Sequence, residues 1–407
     1  MALSSESKAA IAVAVMFFVN GAVFASWASR IPAIQKALSL NAESLGLAMF
    51  ALGAGALLSM PLAGKMAGKF GSASLTFAFL ILFCLSLAVI PAATNVWQLS
   101  MVLGAFGFCG SAMDVAMNVH AVAIQVRLGK PVLSRLHALW SVGGMIGSAC
   151  GALMARCQIS PEIHFLFVAI FLLIFGAFAR GRLLDRATEL RQRGGPAESP
   201  KNGSETLLSW AIMLWCAICF FGFMCEGAIA DWSALYLQNS LGTAASFAAL
   251  GYCSYSAAMA TGRFAGDHLI TVLGRNNLLR YGNLLNSVVV AIVLWLKSPV
   301  LAVLGFGIFG FGMCTLAPIA LSSASYLNPR RAATTIALVS IAGYCGILLG
   351  PPLLGFAAQM FGFSAPVVAV SILSLLLFVL AALTDYVGTG SDTSPGAKLE
   401  QPSELPI

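Results

Sequence analysis

The sequence predicts an all-α membrane protein: twelve transmembrane helices in two pseudo-symmetric halves of six. Three observations predict it. Of 407 residues, 59% are hydrophobic and 9% charged, whereas a soluble domain carries about 25% charged residues. Apolar runs of about 20 residues, the length that crosses a bilayer core, occur twelve times. Features of the first six runs return in the second six at a near-constant offset.

Span 1 is expected over Ala9–Ile31, too long for the apolar core of a cleavable signal peptide. Spans 2 to 6 follow as Ser44–Gly64, Ser74–Ala93, Gln98–Gln125, Leu136–Arg156 and Ile163–Leu183. Spans 7 to 12 are Leu208–Leu237, Ala244–Phe264, Leu278–Leu296, Val300–Tyr326, Ala332–Met360 and Ser364–Leu383. Between the sets, residues 184–207 hold Arg186, Glu189, Arg191 and Arg193, then Gly, Pro and Ser, as a solvated linker does. The expected units are therefore 1–183, a cytoplasmic linker 184–207, 208–385, and a Ser/Pro-rich disordered cytoplasmic tail 386–407.

The net charge of +7 is dispersed in the short gaps between apolar runs, which excludes a basic face for nucleic acid. It reads instead as topology. With both termini on one side, that side collects 18 of the 22 Lys and Arg, against Arg30, Lys36, Arg156 and Lys297 on the other. Positive charge stays inside, so both termini are expected in the cytoplasm. The 40 Gly suit close helix packing in lipid. Most of the 10 Cys lie within apolar runs as small packing residues. Cys216 and Cys219 form a C-x-x-C without a second ligand pair nearby, so neither a metal nor another cofactor is expected. No phosphate loop, nucleophile elbow or zinc motif is present, which argues against an enzyme or an ATP-driven pump.

The internal repeat is carried by four coincidences. Ala25-Ser26-Trp27 near the end of span 1 matches Ala230-Asp231-Trp232 in span 7. Gly64 to Gly71 after span 2 matches Gly262 to Gly274-Arg275 after span 8. Gly107 and Gly110 stand against Gly307 and Gly310, and Gly143, Gly147 and Gly151 against Gly346, Gly350 and Gly355.

These features resemble the major facilitator superfamily along nearly the whole chain. Gly64, Lys69 and Gly71 match that family's G-x-x-x-D-R/K-x-G-R/K signature after span 2, with Gly68 where Asp is usual. The second copy keeps Gly262, Arg263, Asp267, Gly274 and Arg275. The resemblance implies a conformational latch formed by Gly64, Lys69, Gly71, Arg263, Asp267 and Arg275. Asp114-Val-Ala-Met-Asn118-Val-His120, then Ser134-Arg135-Leu-His137-Ala-Leu-Trp140, and Gly350-Pro-Pro-Leu-Leu-Gly355 are similar to bacterial inner-membrane permeases of the YbjJ type. That group is distantly related to fucose permeases. The resemblance implies a secondary transporter that works as a monomer in the bacterial inner membrane.

Charged groups within spans are costly and therefore mark function. Asp114 in span 4, with Asn118 one turn on, and Glu226 in span 7 are the candidates for proton coupling. The fucose-permease-like branch uses an acid on its fourth span for this task, and Asp114 occupies a similar position. Asp231 is expected to cap a helix break or pair with Arg30, and His137 joins these two as a gating candidate. Candidates for the substrate cavity are the span 1 stripe of Asn20, Phe24 and Trp27, together with Asn118, Trp140, Tyr252, Tyr255 and Tyr344. Polar-tipped aromatics suit a sugar-like or related small polar solute. The expected partners are that solute, protons and membrane lipid.

Proton symport by alternating access is the leading reading. Proton-antiport export of drugs or metabolites is the alternative, weakened because span 5 lacks the Pro usual in such exporters. A membrane sensor or scaffold without transport would not need the three intramembrane acids.

Overall fold

The computed structural model describes residues 5–130, 132–184, 209–327 and 332–386, and every regular element in them is helical. Span 1 is Ser5–Ala28, span 2 Ala42–Phe70, span 3 Ser72–Val89, span 4 Val96–Leu128, span 5 Leu133–Arg156 and span 6 Pro161–Arg180. Span 7 is Trp210–Leu235, span 8 Leu250–Leu273, span 9 Arg275–Leu296, span 11 Ala332–Phe361 and span 12 Ala365–Leu383. Span 10 comes in two pieces, Pro299–Met313 and Leu316–Leu327. Pro318 has no N–H to offer the Cys314 carbonyl, which accounts for the break at that point. The expected linker 184–207 and tail 386–407 lie outside the described residues, apart from the backbone of Leu184 and Tyr386 at their edges.

Among the described residues, eleven helices are long and apolar enough to cross a membrane. Span 8 is the exception: it is 24 residues long but carries Arg263, Asp267 and His268. It also begins later than the apolar run suggests, because Ala245–Ala248 forms a separate turn before it. Spans 2 and 8 extend beyond the expected Gly64 and Phe264 to Phe70 and Leu273. Each is ended by a glycine of the same conformation, Gly71 at φ 87, ψ 143 and Gly274 at φ 76, ψ 152. A side chain is strained at such a φ, so glycine is required where the chain turns sharply into the next span. Spans 2 and 4 carry side-chain caps at their starts: Asn41 accepts from Ser44 N–H at 2.8 Å and Asn95 from Gln98 N–H at 3.0 Å.

The repeat seen in sequence is a repeat of packing. Span 1 packs on span 5, span 2 on span 4, and span 3 on spans 4 and 6; span 7 packs on span 11, span 8 on span 10, and span 9 on spans 10 and 12. The two halves meet through span 5 against span 8 and through span 2 against span 11, contacts that exchange under the same pseudo-two-fold relation.

Glycines fix these approaches. A Cβ at Gly143 would fall on the Phe18 carbonyl, and one at Gly346 on the Phe220 carbonyl. A Cβ at Gly107 would meet the Leu52 carbonyl, and one at Gly310 the Tyr255 carbonyl. By its contacts Gly107 is therefore the counterpart of Gly310, not of Gly307 as sequence spacing suggests. Between the halves, a Cβ at Gly46 would stand 3.0 Å from the Gly355 Cα, and one at Gly144 3.0 Å from the Ser256 Oγ.

The outer surface is apolar. Trp97 and Trp295 are 77% and 80% exposed and Trp210 is exposed as well, as interfacial belt residues are.

Candidate functional site

Asp114, Glu226 and Asp231 are each partly accessible instead of packed away, although the helices carrying them lie within the bundle. On span 4 the Asn118 Nδ2 donates to the Asp114 Oδ1 at 3.1 Å and to the Asp114 carbonyl at 2.9 Å. The i, i+4 stripe read from sequence is thus a direct contact. Across from it, Tyr344 on span 11 lies close enough for the Asp114 charge to act on it, and its ring stands edge-on to Phe223 at 6.1 Å. Asp114 therefore looks from the first half toward the second.

Glu226 belongs to a second cluster. Its charge acts on Tyr252 and Tyr255, and it is in electrostatic range of Arg263. The two tyrosine rings stack at 5.6 Å, and Tyr252 meets Phe24 of the first half at 6.2 Å. Both tyrosines are buried, so they form an aromatic floor with Phe24 and Trp140.

Arg263 joins the halves. Its Nη1 donates to the Ser141 Oγ at 2.9 Å and to the His137 carbonyl at 3.3 Å, both on span 5, while the Ser134 Oγ donates to the Arg263 carbonyl at 3.4 Å. It is the residue of the expected latch that bridges the two halves here. Asp267 is exposed and makes no ion pair among the described residues. Lys69 lies over the Phe70 ring and Arg275 over the Tyr326 ring, Gly71 ends span 2, and a Cβ at Gly64 would meet open space.

Several expected roles are reassigned by contacts. Asn20 is a staple: it accepts from the Trp140 Nε1 at 2.9 Å and donates to the Gly110 carbonyl at 3.1 Å, joining spans 1, 4 and 5. Trp27 is fully buried, as is its counterpart Trp232, so neither faces open space. The His137 ring packs edge-on to Phe17 at 5.2 Å. Arg30 does not pair with Asp231; its Nη2 donates to the Ile159 carbonyl at 2.7 Å, and its electrostatic partner is Glu162. Asp231 lies four residues before Leu235, the last residue of the α-helix, which runs on directly into the π turn Tyr236–Ser240, so it stands within the helix and not at a break. Ser141, which receives Arg263, carries no signal in sequence, because a serine in an apolar helix reads as packing.

The Major Facilitator Superfamily model matches residues 11–332 and 233–404. An uncharacterised transporter of that type from Yersinia pestis is 31% identical over 372 residues, 91% of this chain and 94% of the relative. An uncharacterised transporter from Sinorhizobium fredii is 32% identical over 91% of this chain and 96% of its own length, and the membrane protein MosC of Rhizobium meliloti is 32% identical over 91% and 86%. Among solved structures, a bacterial homologue of the human lysosomal transporter Spinster aligns with TM-score 0.75 at 14% identity, covering 95% of this chain and 98% of that one. The nucleoside transporter NupG aligns with TM-score 0.68 at 15% identity over 93% and 98%. With this helical repeat and these relatives, the chain belongs to the Major Facilitator Superfamily of membrane transporters.

Proposed function

We propose that this transporter moves a small polar organic solute, sugar-like or a related metabolite, across the bacterial inner membrane by proton-coupled symport. The observation that carries the reading is the pair of partly accessible carboxyl groups, Asp114 and Glu226, within spans on either half. A carboxylate within a bilayer is costly to hold charged, so its protonation is naturally tied to which side the site opens toward. Asp114 faces Tyr344 of the second half, and Glu226 lies beside Arg263, which is bonded to the first half. Each acid is therefore placed to feel the relative movement of the halves. Residues 1–183 and 208–385 are the two bodies that rock, and 184–207 is the connection. Both termini are cytoplasmic on the distribution of Lys and Arg. The resemblance of the Asp114 to Trp140 segment to YbjJ-type permeases supports a permease in place of an exporter.

The test is thermal stabilisation of the purified protein by a panel of sugars, amino acids, nucleosides and organic acids, beside Asp114→Asn. A ligand of the native state raises its melting temperature. A hit whose pH dependence disappears in Asp114→Asn supports the reading. A hit with identical affinity and pH dependence in the variant removes Asp114 from the site.

A further inference from the structure

Opposite the Lys/Arg-rich end, a half-open cavity of about 210 Å³ is lined by the end of span 1, the short helix Ile31–Ala37, the end of span 5 and the start of span 6. Ala245 of the second half also contributes to its wall. Its polar lining is Ser29, Arg30, Gln158 and Ser160. Arg30 is 5% exposed, and although its Nη2 is bound to the Ile159 carbonyl, its Nε and Nη1 are buried without a partner. A buried guanidinium with two unmatched donors is expensive unless something accepts from them. Glu162 acts on Arg30 through space, but it is exposed and makes no ion pair with it among the described residues.

A second feature points the same way. Span 6 starts at this cavity, with Ser160 at its N-cap position; the Glu162 carboxylate in its first turn accepts from the Ser160 hydroxyl and from its own backbone N–H. Pro161 has no N–H and the Glu162 N–H is taken, so what the helix start adds is its partial positive charge, which suits an anion. His164, one turn into the helix, is fully buried with both ring nitrogens unpartnered and lies within reach of the Arg30 charge.

We propose that this pocket binds a small anion, of carboxylate or phosphate type, on the Arg30 Nε and Nη1. Because Ala245 lines it from the second half, the occupied pocket belongs to the conformation in which the halves touch at this end. The site lies apart from Asp114 and Glu226 and does not depend on the coupling role given to them.

The experiment is thermal unfolding of the full-length purified protein in sodium formate or sodium phosphate, against sodium chloride of equal ionic strength, whose single-atom anion lacks the paired oxygen acceptors that a guanidinium fork takes. Melting temperature should rise saturably with formate or phosphate in the wild type. The rise should vanish in Arg30→Gln. Should Arg30→Gln fail to fold, Ala33→Leu, which fills the cavity and keeps Arg30, should abolish the rise just as fully. In nanodiscs, phosphatidylglycerol that raises the wild-type melting temperature and leaves formate without further effect identifies a lipid headgroup as the source. A formate effect that persists in that lipid identifies a free anion. No rise over chloride in the wild type, or an equal rise in Ala33→Leu, overturns the proposal.

Discussion

The Trp140 Nε1 donates to the Asn20 Oδ1 at 2.9 Å, and the other end of the same amide holds the Gly110 carbonyl at 3.1 Å. One side chain thus closes two polar groups of neighbouring spans, the Gly110 bond buried and the Trp140 bond part-buried. Asn20→Leu is expected to destabilise the protein by about 1–3 kcal/mol, the range for leaving buried hydrogen-bonding groups unmatched. Unfolding in detergent measures it, and solute affinity should stay within about twofold, well under the tenfold that 1.4 kcal/mol represents. Unchanged stability with lost affinity would return Asn20 to the substrate cavity.

Gly143 and Gly346 do the same work in the two halves. Each lets a helix rest on a partner's backbone carbonyl, of Phe18 and Phe220 respectively. Gly143→Leu and Gly346→Leu should each destabilise by about 3 kcal/mol or more, at the upper end for overpacking. Gly64→Ala, which meets open space, should be neutral or stabilising by up to about 1 kcal/mol, the helix-propensity gain of alanine over glycine. Expression and melting temperature of the three variants check the contrast.

The sequence made the fold legible because lipid imposes a simple rule: twelve long apolar runs, with positive charge gathered between them on one side. Even the repeat was readable, since close backbone approach requires glycine and glycine is visible. The register was less so. Gly107 aligns with Gly310 by contact, while sequence spacing favours Gly307, and only the partner carbonyls distinguish them. For the candidate site, charge within a span singled out Asp114, Glu226 and Arg263. Their partners carried no such mark: Ser141 and the His137 carbonyl receive Arg263 across the interface, and a backbone acceptor has no signature in sequence. Trp27 and Asn20 were misplaced because a helical stripe shows which residues share a face, not whether that face meets a cavity or another helix.

Arg263 is the charged link between span 8 and span 5. Arg263→Gln removes bonds to the Ser141 Oγ and the His137 carbonyl, part-buried and charge-assisted, and should cost about 1–2 kcal/mol in stability. Because these bonds exist only while the halves touch here, the variant should also transport at an altered maximal rate with affinity nearly unchanged. Uptake kinetics in proteoliposomes separate the two quantities. Arg263→Lys, which keeps the charge without the planar fork, should recover only part of the rate.

Where span 9 begins and span 12 ends, the Arg280 Nη2 meets the Asp385 Oδ2 at 2.7 Å, and the Asn276 Nδ2 donates to the Asp385 Oδ1 at 2.7 Å. The groups are partly exposed, so Asp385→Asn should lower stability by no more than about 1 kcal/mol. The loss should shrink in high salt, which a melting series at two ionic strengths reads directly.

The central claim is that Asp114 ties proton movement to solute movement. Its most direct test is solute-evoked proton flux in proteoliposomes with no other driving force, using the solute identified by thermal stabilisation. The wild type should take up protons with solute, and Asp114→Asn should still bind the solute but move no protons with it. Solute uptake by the wild type without any proton flux, or undiminished flux in Asp114→Asn, would contradict the account.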